Sequence, residues 1–317
     1  MKPYVLGIDI GGTNTVFGIV DARGNVIASS SIKTGKHPNF EDYLDELYTE
    51  ASHLIETHDA TDKIQGIGIG APNANYYTGE IDNAVNLPWP SLPLAKLVSK
   101  KFGIPVAVTN DANAAALGEM TYGAARGLKD FIMITLGTGV GSGIVINGQV
   151  VYGHDGLAGE LGHVIIKRNN GRLCGCGRTG CLEAYCSATG VARTAREFLE
   201  ARNEPSLLRN IPIENITSKD VYDAAMNGDK LAKDIFDYTG TLLGEAMADM
   251  TVFSSPQAFI LFGGLAKSGE LLLRPLREAM DRNMLSMFKG KPKILLSELK
   301  EADAAVLGAS ALGWEAK

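Results

Sequence analysis

No apolar run in this chain reaches the length a bilayer demands. Nothing near Met1 has the charged-then-apolar build of a secretory signal. The sequence therefore predicts a cytoplasmic protein with no membrane contact. Positive charge is also in short supply: 30 Lys and Arg against 36 Asp and Glu leave a net charge of −6. That sign disfavours a general surface for nucleic acid or anionic lipid. No G-x-x-x-x-G-K-[ST] occurs, which excludes a Walker-type phosphate loop. Cysteine is scarce at four residues, and in a reducing compartment those four should be free thiols rather than disulfides. Glycine is the abundant residue, with 37 grouped in discrete loops, as in turns where backbone must approach a ligand. At 317 residues, with 45% hydrophobic and 21% charged side chains, the chain is an ordinary globular protein long enough for two cores.

Three of the four cysteines fall in the run Cys174-Gly175-Cys176-Gly177-Arg178-Thr179-Gly180-Cys181-Leu182-Glu183, with His163 shortly before it. One imidazole and three thiolates make a closed tetrahedral zinc site. The four ligands His163, Cys174, Cys176 and Cys181 would leave no open coordination position, so the zinc is read as structural rather than catalytic. Glu160 and Glu183 flank the loop, and a metal that fixes the loop would fix both carboxylates. Cys186, outside the cluster, reads as a core residue.

The opening segment predicts three strands, Tyr4 to Ile10, Thr15 to Val20 and Val26 to Ser30, as an antiparallel meander. A helix from about Phe40 to His58 follows, with Leu44, Leu47, Tyr48, Ala51 and Leu54 at helical spacing. Then come a strand from Gly66 to Gly70, a long polar loop through Asn86-Leu87-Pro88-Trp89, a helix from about Leu92 to Phe102, and a strand from Pro105 to Thr109. A helix from Ala112 to Tyr122 closes this half. The second half repeats the opening: strand Phe131 to Leu136, a Gly137-Thr138-Gly139 turn, strand Ser142 to Ile146. Aligned, the segments from Gly12 and from Gly137 share G-T-x-x-x-x-G-I-V, which indicates two related domains. Later helices are predicted at Ala188 to Asn203, Ser218 to Asn227, Asp229 to Thr251, Glu270 to Met287 and Asp303 to Trp314, the last capped by Asp303. Strands are predicted at Ala258 to Phe262 and Lys293 to Ser297.

Each Gly-Thr hairpin offers backbone N–H groups and a hydroxyl suited to phosphate oxygens. Neither is followed by the helix that a dinucleotide fingerprint requires. Asp9 ends the first strand beside the first hairpin, where a carboxylate would hold Mg²⁺ directly or through water. Asn110-Asp111-Ala112-Asn113 opens a helix at a strand end. Either residue can be an N-cap, and Asp111 can be the single base that phosphoryl transfer to an alcohol requires. Paired carboxylates such as Glu160 and Glu183 also suggest glycoside hydrolysis, against which the two phosphate-type hairpins argue.

These motifs together resemble the ROK family (repressor, open reading frame, kinase), and most of all its ATP-dependent glucokinases. The resemblance rests on Asp9-Ile10-Gly11-Gly12-Thr13, Asn110-Asp111-Ala112-Asn113, Leu136-Gly137-Thr138-Gly139, Glu160-x-Gly162-His163, the run from Cys174 to Glu183, and Gly263-Gly264. It implies an α/β, actin-like (ribonuclease H-type) fold of two α/β domains with an interdomain cleft. The final helix would return to the N-terminal domain, giving residues 1–121 plus 303–317 and residues 122–302. It implies phosphorylation of glucose at its 6-hydroxyl, with Asp111 as general base. Asn110, Asp111, Glu160, His163 and Glu183 would contact the sugar, His163 being shared with zinc. Asp9, Gly11, Gly12, Thr13, Asn14, Gly137, Thr138 and Gly139 would contact the phosphates of Mg²⁺-ATP, and Gly263 and Gly264 the nucleoside. Phe262 stands where many relatives carry a third glycine. A homodimer is the family expectation. Other hexoses (N-acetylglucosamine, N-acetylmannosamine, fructose, allose), polyphosphate as donor, and a sugar-binding regulator without catalysis stay open. A DNA-binding repressor is disfavoured by the negative charge and by the mere three residues ahead of the first strand.

Overall fold

The computed structural model describes residues 2–84 and 86–316. Its packing divides the chain into two compact units. The first holds Met1–Lys129, Gly143–Gly159 and Ser297–Lys317; the second holds Asp130–Ser142 and Glu160–Leu296.

The first unit contains β1 (Tyr4–Ile10), β2 (Thr15–Asp21), β3 (Val26–Ile32), α1 (Phe40–Thr57), β4 (Ile64–Gly70), α2 (Leu94–Phe102), β5 (Val106–Thr109) and α3 (Asp111–Tyr122). The chain continues through β6 (Phe131–Leu136), β7 (Val140–Ile146) and β8 (Gln149–Val150). It then forms α4 (Glu183–Cys186), α5 (Ala188–Ala201), α6 (Ser218–Met226), α7 (Lys230–Ser254), β9 (Ala258–Phe262), α8 (Glu270–Asn283), β10 (Lys293–Leu296) and α9 (Glu301–Gly313).

The first sheet runs β3-β2-β1-β4-β5. The β1–β2 and β2–β3 pairs are antiparallel, while β1–β4 and β4–β5 are parallel. The second sheet runs β10-β9-β6-β7-β8. Counting β6 as a first strand turns this into the same order, with β6–β9 and β9–β10 parallel and β7–β8 antiparallel. The G-T-x-x-x-x-G-I-V repeat of the sequence is thus the visible trace of a repeated topology. This is the α/β, actin-like architecture that the motifs implied.

Local chemistry accounts for the elements. β3 alternates half-buried and exposed residues, the pattern of an edge strand with one wet face. In α1 the buried Tyr43, Leu44, Leu47, Ala51 and Ile55 recur at helical spacing, and the Asn39 side chain caps the helix by accepting from the Glu41 N–H. The core of this unit gathers Leu6, Ile8, Phe17, Ile19, Leu47, Ile67 and Ile69, all fully buried, with Tyr43 among them. Tyr43 keeps its hydroxyl satisfied on Thr15 Oγ1 at 2.8 Å, and Thr15 in turn meets Thr34 Oγ1 at 2.8 Å. The segment read as a polar loop sends Leu87 and Trp89 into this core. The Trp89 ring centroid lies 4.4 Å from that of Tyr43, and its Nε1–H donates to the His37 carbonyl at 2.9 Å.

Helix α9 lies against β1 and β4 of the first unit. It approaches so closely that a Cβ built on Gly68 would stand 1.9 Å from the Ala309 carbonyl oxygen. Only a residue without a side chain permits that contact.

Several boundaries depart from expectation. β7 begins at Val140 rather than Ser142. α3 starts at Asp111, not Ala112. α8 stops at Asn283, because Met284 turns extended ahead of a short 3₁₀ turn, Ser286–Phe288. α9 starts at Glu301 after Lys300, so Asp303 lies inside the helix and is not its cap. The two-residue β8 and one-turn α4 are too short to carry a periodicity. Among the described residues no helix is long and apolar enough to cross a membrane.

Candidate functional site

In the first unit, Asp9 closes β1 opposite Gly70 of β4, and Gly70 in turn pairs with Thr109 of β5. Asp111 follows two residues later, so sheet register brings two carboxylates to neighbouring strand ends. Gly70 stands between them: a Cβ there would lie 3.4 Å from Asp9 Oδ1 and 3.8 Å from Asp111 Cα. Desolvation, and secondarily the Asp111 charge, pushes the Asp9 carboxyl up to about 7. Asp111 is also raised: water reaches one side of its side chain, but protein crowds the rest and removes solvation. Two partly desolvated acids side by side form a pair that a hard cation would relieve.

Asn110, not Asp111, is the cap in the structure. Asn110 Oδ1 accepts the Asn113 N–H at 2.7 Å and caps α3. Asp111 Oδ1 accepts from its neighbour Ala112 N–H at 2.8 Å. The turn before β2 is closed by the Gly11 N–H donating to the Asn14 carbonyl at 3.0 Å. Lys33 donates to Asn14 Oδ1 at 2.7 Å and so brings a cation to this glycine turn.

In the second unit, the Gly137 N–H donates to the Gly139 carbonyl at 3.1 Å, drawing the Gly137-Thr138-Gly139 turn tight. The start of α5 braces it. The Ala188 N–H donates to the Gly137 carbonyl at 2.8 Å, and Thr189 Oγ1 donates to the Thr138 carbonyl at 2.9 Å. Gly263 packs on the strand leading into the turn. Its φ is +105°, and a Cβ would sit 2.5 Å from the Leu136 carbonyl oxygen, so glycine is required there. The turn at 137–139 and the Gly263-Gly264 segment are therefore neighbours.

The candidate metal ligands converge. One donor atom from each of His163, Cys174, Cys176 and Cys181 lies within 4.8 Å of the others. Cys176 Sγ and Cys181 Sγ are 3.7 Å apart, far beyond the roughly 2.05 Å of a disulfide. Two sulfurs each about 2.3 Å from one tetrahedral zinc would stand about 3.8 Å apart. Cys174 Sγ is 3.7 Å from His163 Nδ1, close to the separation of roughly 3.6 Å that tetrahedral S–Zn–N geometry gives. The donor set thus fits zinc in type, number and spacing. His163 turns its other nitrogen, Nε2, toward Glu160 Oε2 at 4.0 Å.

Glu183 joins the cluster to the glycine turn. Its Oε1 accepts from the Cys174 thiol at 3.4 Å, and its Oε2 accepts the Val140 N–H at 2.9 Å. Without a metal, burial pushes the Cys174 thiol up to about 12, with the Glu183 contact adding to the rise. Cys186, read as a core residue, is fully buried.

Within each unit, then, the residues chosen from sequence fall into groups: Asp9 with Asp111, and Glu160, His163, the three cysteines, Glu183 and the 137–139 turn. Lys33, Thr189 and the buried Arg172 were missed. Each is singled out only by a partner distant in sequence, and none belongs to a spacing pattern.

The chain resembles known proteins over nearly its whole length. A model described as the ROK family matches residues 5–316. The glucokinase of Halalkalibacterium halodurans is 36% identical over 323 residues, covering 99% of this chain and 95% of that one. A ROK family glucokinase from Streptomyces griseus, solved in complex with glucose and AMPPNP, superposes with a TM-score of 0.80 at 34% identity, covering 98% of this chain and 99% of that one. The xylose repressor of Caldicellulosiruptor bescii is 30% identical, with 97% of this chain matching 77% of the repressor. With the family model spanning all but the termini and glucokinases at this identity, the chain belongs to the ROK family.

Proposed function

We propose that this protein is a hexokinase-type sugar kinase that transfers the γ-phosphoryl group of ATP to the 6-hydroxyl of glucose. The observation that carries this reading is the placement of the Asp111 carboxylate at the start of α3, beside Asp9 across Gly70. Phosphoryl transfer to an alcohol asks for one proton acceptor plus positioning and neutralisation of charge. Asn110 supplies the α3 cap by accepting the Asn113 N–H, and the Asp111 carboxylate, which accepts the Ala112 N–H on Oδ1, would take the hydroxyl proton. Burial raises the Asp111 carboxyl above the ordinary carboxylate range, which makes it a stronger proton acceptor when ionised. Asp9 would hold magnesium beside the phosphates, and that ion would supply charge neutralisation when bound. Gly11, Gly12, Thr13 and Asn14, with Gly137, Thr138 and Gly139, would present N–H and hydroxyl groups to the phosphate oxygens, with Gly263 and Gly264 on the nucleoside side. Asn110, Glu160, His163 and Glu183 would bind the sugar hydroxyls. Zinc on His163, Cys174, Cys176 and Cys181 would keep those acceptors in place.

A second reading, a sugar-binding regulator, is prompted by the repressor similarity. A coupled assay of ATP consumption over a panel of hexoses, run beside Asp111→Asn, separates the two. The expected result is turnover with glucose ahead of N-acetylglucosamine, N-acetylmannosamine, fructose and allose, and a fall in kcat of about 10²–10⁴-fold in the variant with glucose binding retained. Sugar binding without turnover would favour the regulator. Ordinary turnover by Asp111→Asn would remove that residue from the mechanism. Polyphosphate in place of ATP tests the donor.

A further inference from the structure

Arg172, two residues ahead of Cys174, takes no part in the reaction as proposed, yet its side chain is buried to 6% exposure, unusual for a guanidinium. All five of its N–H donors are matched. Nε and Nη2 donate to Glu197 Oε2 at 3.1 and 2.5 Å, and Nη2 also to Thr194 Oγ1 at 2.9 Å. Nη1 donates to the carbonyls of Ala184 and Gly190 at 3.0 and 3.3 Å. The guanidinium carbon sits 4.4 Å from the centroid of the Tyr185 ring.

The backbone of the same residue is held as firmly. Its N–H donates to Tyr185 Oη at 2.8 Å, and its carbonyl accepts the Gly180 N–H at 2.8 Å. Arg193 adds a second tie, donating to the Leu173 carbonyl at 3.2 Å and to Glu197 Oε1 at 3.0 Å. Partners of Arg172 therefore lie on the return strand of the cysteine loop (Gly180), on α4 (Ala184, Tyr185) and on α5 (Gly190, Thr194, Glu197). Between the first two stand Cys181 and Glu183.

We infer that Arg172 is a positioning residue, which locks the cysteine loop and α4 into one body so that the four metal ligands converge and the Glu183 carboxylate is preset for the hexose. This rests on reading the cluster as a metal site and Glu183 as a sugar contact. The alternative role, merely holding α4 against α5, would alter stability but not the metal affinity of the folded protein. Groups that orient metal ligands from outside the coordination sphere commonly change affinity by about 10–100-fold when lost. Lysine cannot substitute, since three donors cannot make the five hydrogen bonds that the guanidinium makes to four acceptors.

The test is titration of metal-stripped, reduced protein with cobalt(II) alone, read by the visible absorption of tetrahedral thiolate coordination. It compares wild type, Arg172→Met and Tyr185→Phe, with circular dichroism to confirm the fold. Arg172→Met should bind cobalt about 10–100-fold more weakly and, once zinc-loaded, show a raised KM for glucose. Tyr185→Phe, which removes one hydroxyl and keeps the ring, should lose affinity in the same direction by less. Wild-type cobalt affinity in folded Arg172→Met overturns the inference. If that variant fails to fold, wild-type affinity in Tyr185→Phe overturns it instead. Absence of cobalt uptake by wild type would overturn the metal reading itself, and the inference with it.

Discussion

Asp9→Asn should make the protein more stable and inactive, and the stability gain should depend on pH. The Asp9 carboxyl is raised from 3.8 to about 7, by desolvation first and by Asp111 second. Between those values the native state holds a proton that the unfolded chain has released, so wild-type stability falls as pH rises from about 4 to about 7. Above 7 both states are ionised and the loss is complete. A shift of this size corresponds to about 4 kcal/mol. Water at the partly open strand end screens the charge, which brings the expected loss to roughly 2 kcal/mol at pH 8. Asparagine keeps the shape and escapes the penalty. At about 2–4 °C per kcal/mol for a unit of this size, the variant should melt roughly 4–8 °C higher at pH 8. The assay is thermal unfolding of both proteins without nucleotide or magnesium, at pH steps from 5 to 8. The melting difference should widen up to pH 7 and then level off. A constant offset across the series, or an Asp9→Asn that melts below wild type at pH 8, would refute the argument that Asp9 is a strained, cation-seeking carboxylate.

Three other outcomes follow from the same structure. Purified protein should carry about one zinc per chain by metal analysis, and stripping it should lower the melting temperature, since the ligands converge only in the folded loop; active protein without zinc would contradict this. Gly68→Ala puts a methyl 1.9 Å from the Ala309 carbonyl, so α9 must move off the sheet at a cost of about 1–3 kcal/mol, read by denaturant titration; a neutral variant would mean α9 is loosely docked. Tyr43→Phe leaves Thr15 and Thr34 bonded to each other and removes one buried hydroxyl, so a loss of only about 1 kcal/mol is expected; a much larger loss would assign Tyr43 a role beyond the core.

What could be read in the sequence was chemistry carried by neighbours along the chain. The strands β1, β2, β6 and β9 announced themselves as apolar runs between glycine turns. Asn110 was legible as a cap because capping is a contact over three residues. What could not be read depends on partners far away in sequence. Arg172 meets Glu197, Lys33 meets Asn14, and Leu87 and Trp89, set in a stretch whose local composition is that of a polar loop, join the core. The G-T-x-x-x-x-G-I-V repeat was an intermediate case. Two turns hinted at duplication, but only the matching strand orders of the two sheets gave the hint its physical content.

The cysteine run illustrates why a metal suits this part of the chain. Between Val164 and Leu182 the backbone pairs through a few bonds and isolated bridges, such as Ile165 with Cys181 and Leu173 with Thr179, and the Arg172 side chain ties it to α4 and α5. Leu173 is 64% exposed, so the segment brings little apolar surface to a core of its own. Apolar burial contributes little to such a loop, and four metal bonds converging on one point would add to the hold of Arg172. Glu183 then carries that rigidity outward, because one oxygen meets Cys174 and the other takes the Val140 N–H just past the glycine turn. In a kinase built this way, the groups proposed to bind sugar and those proposed to bind phosphate in the second unit share one rigid support, and loss of the metal should loosen both together.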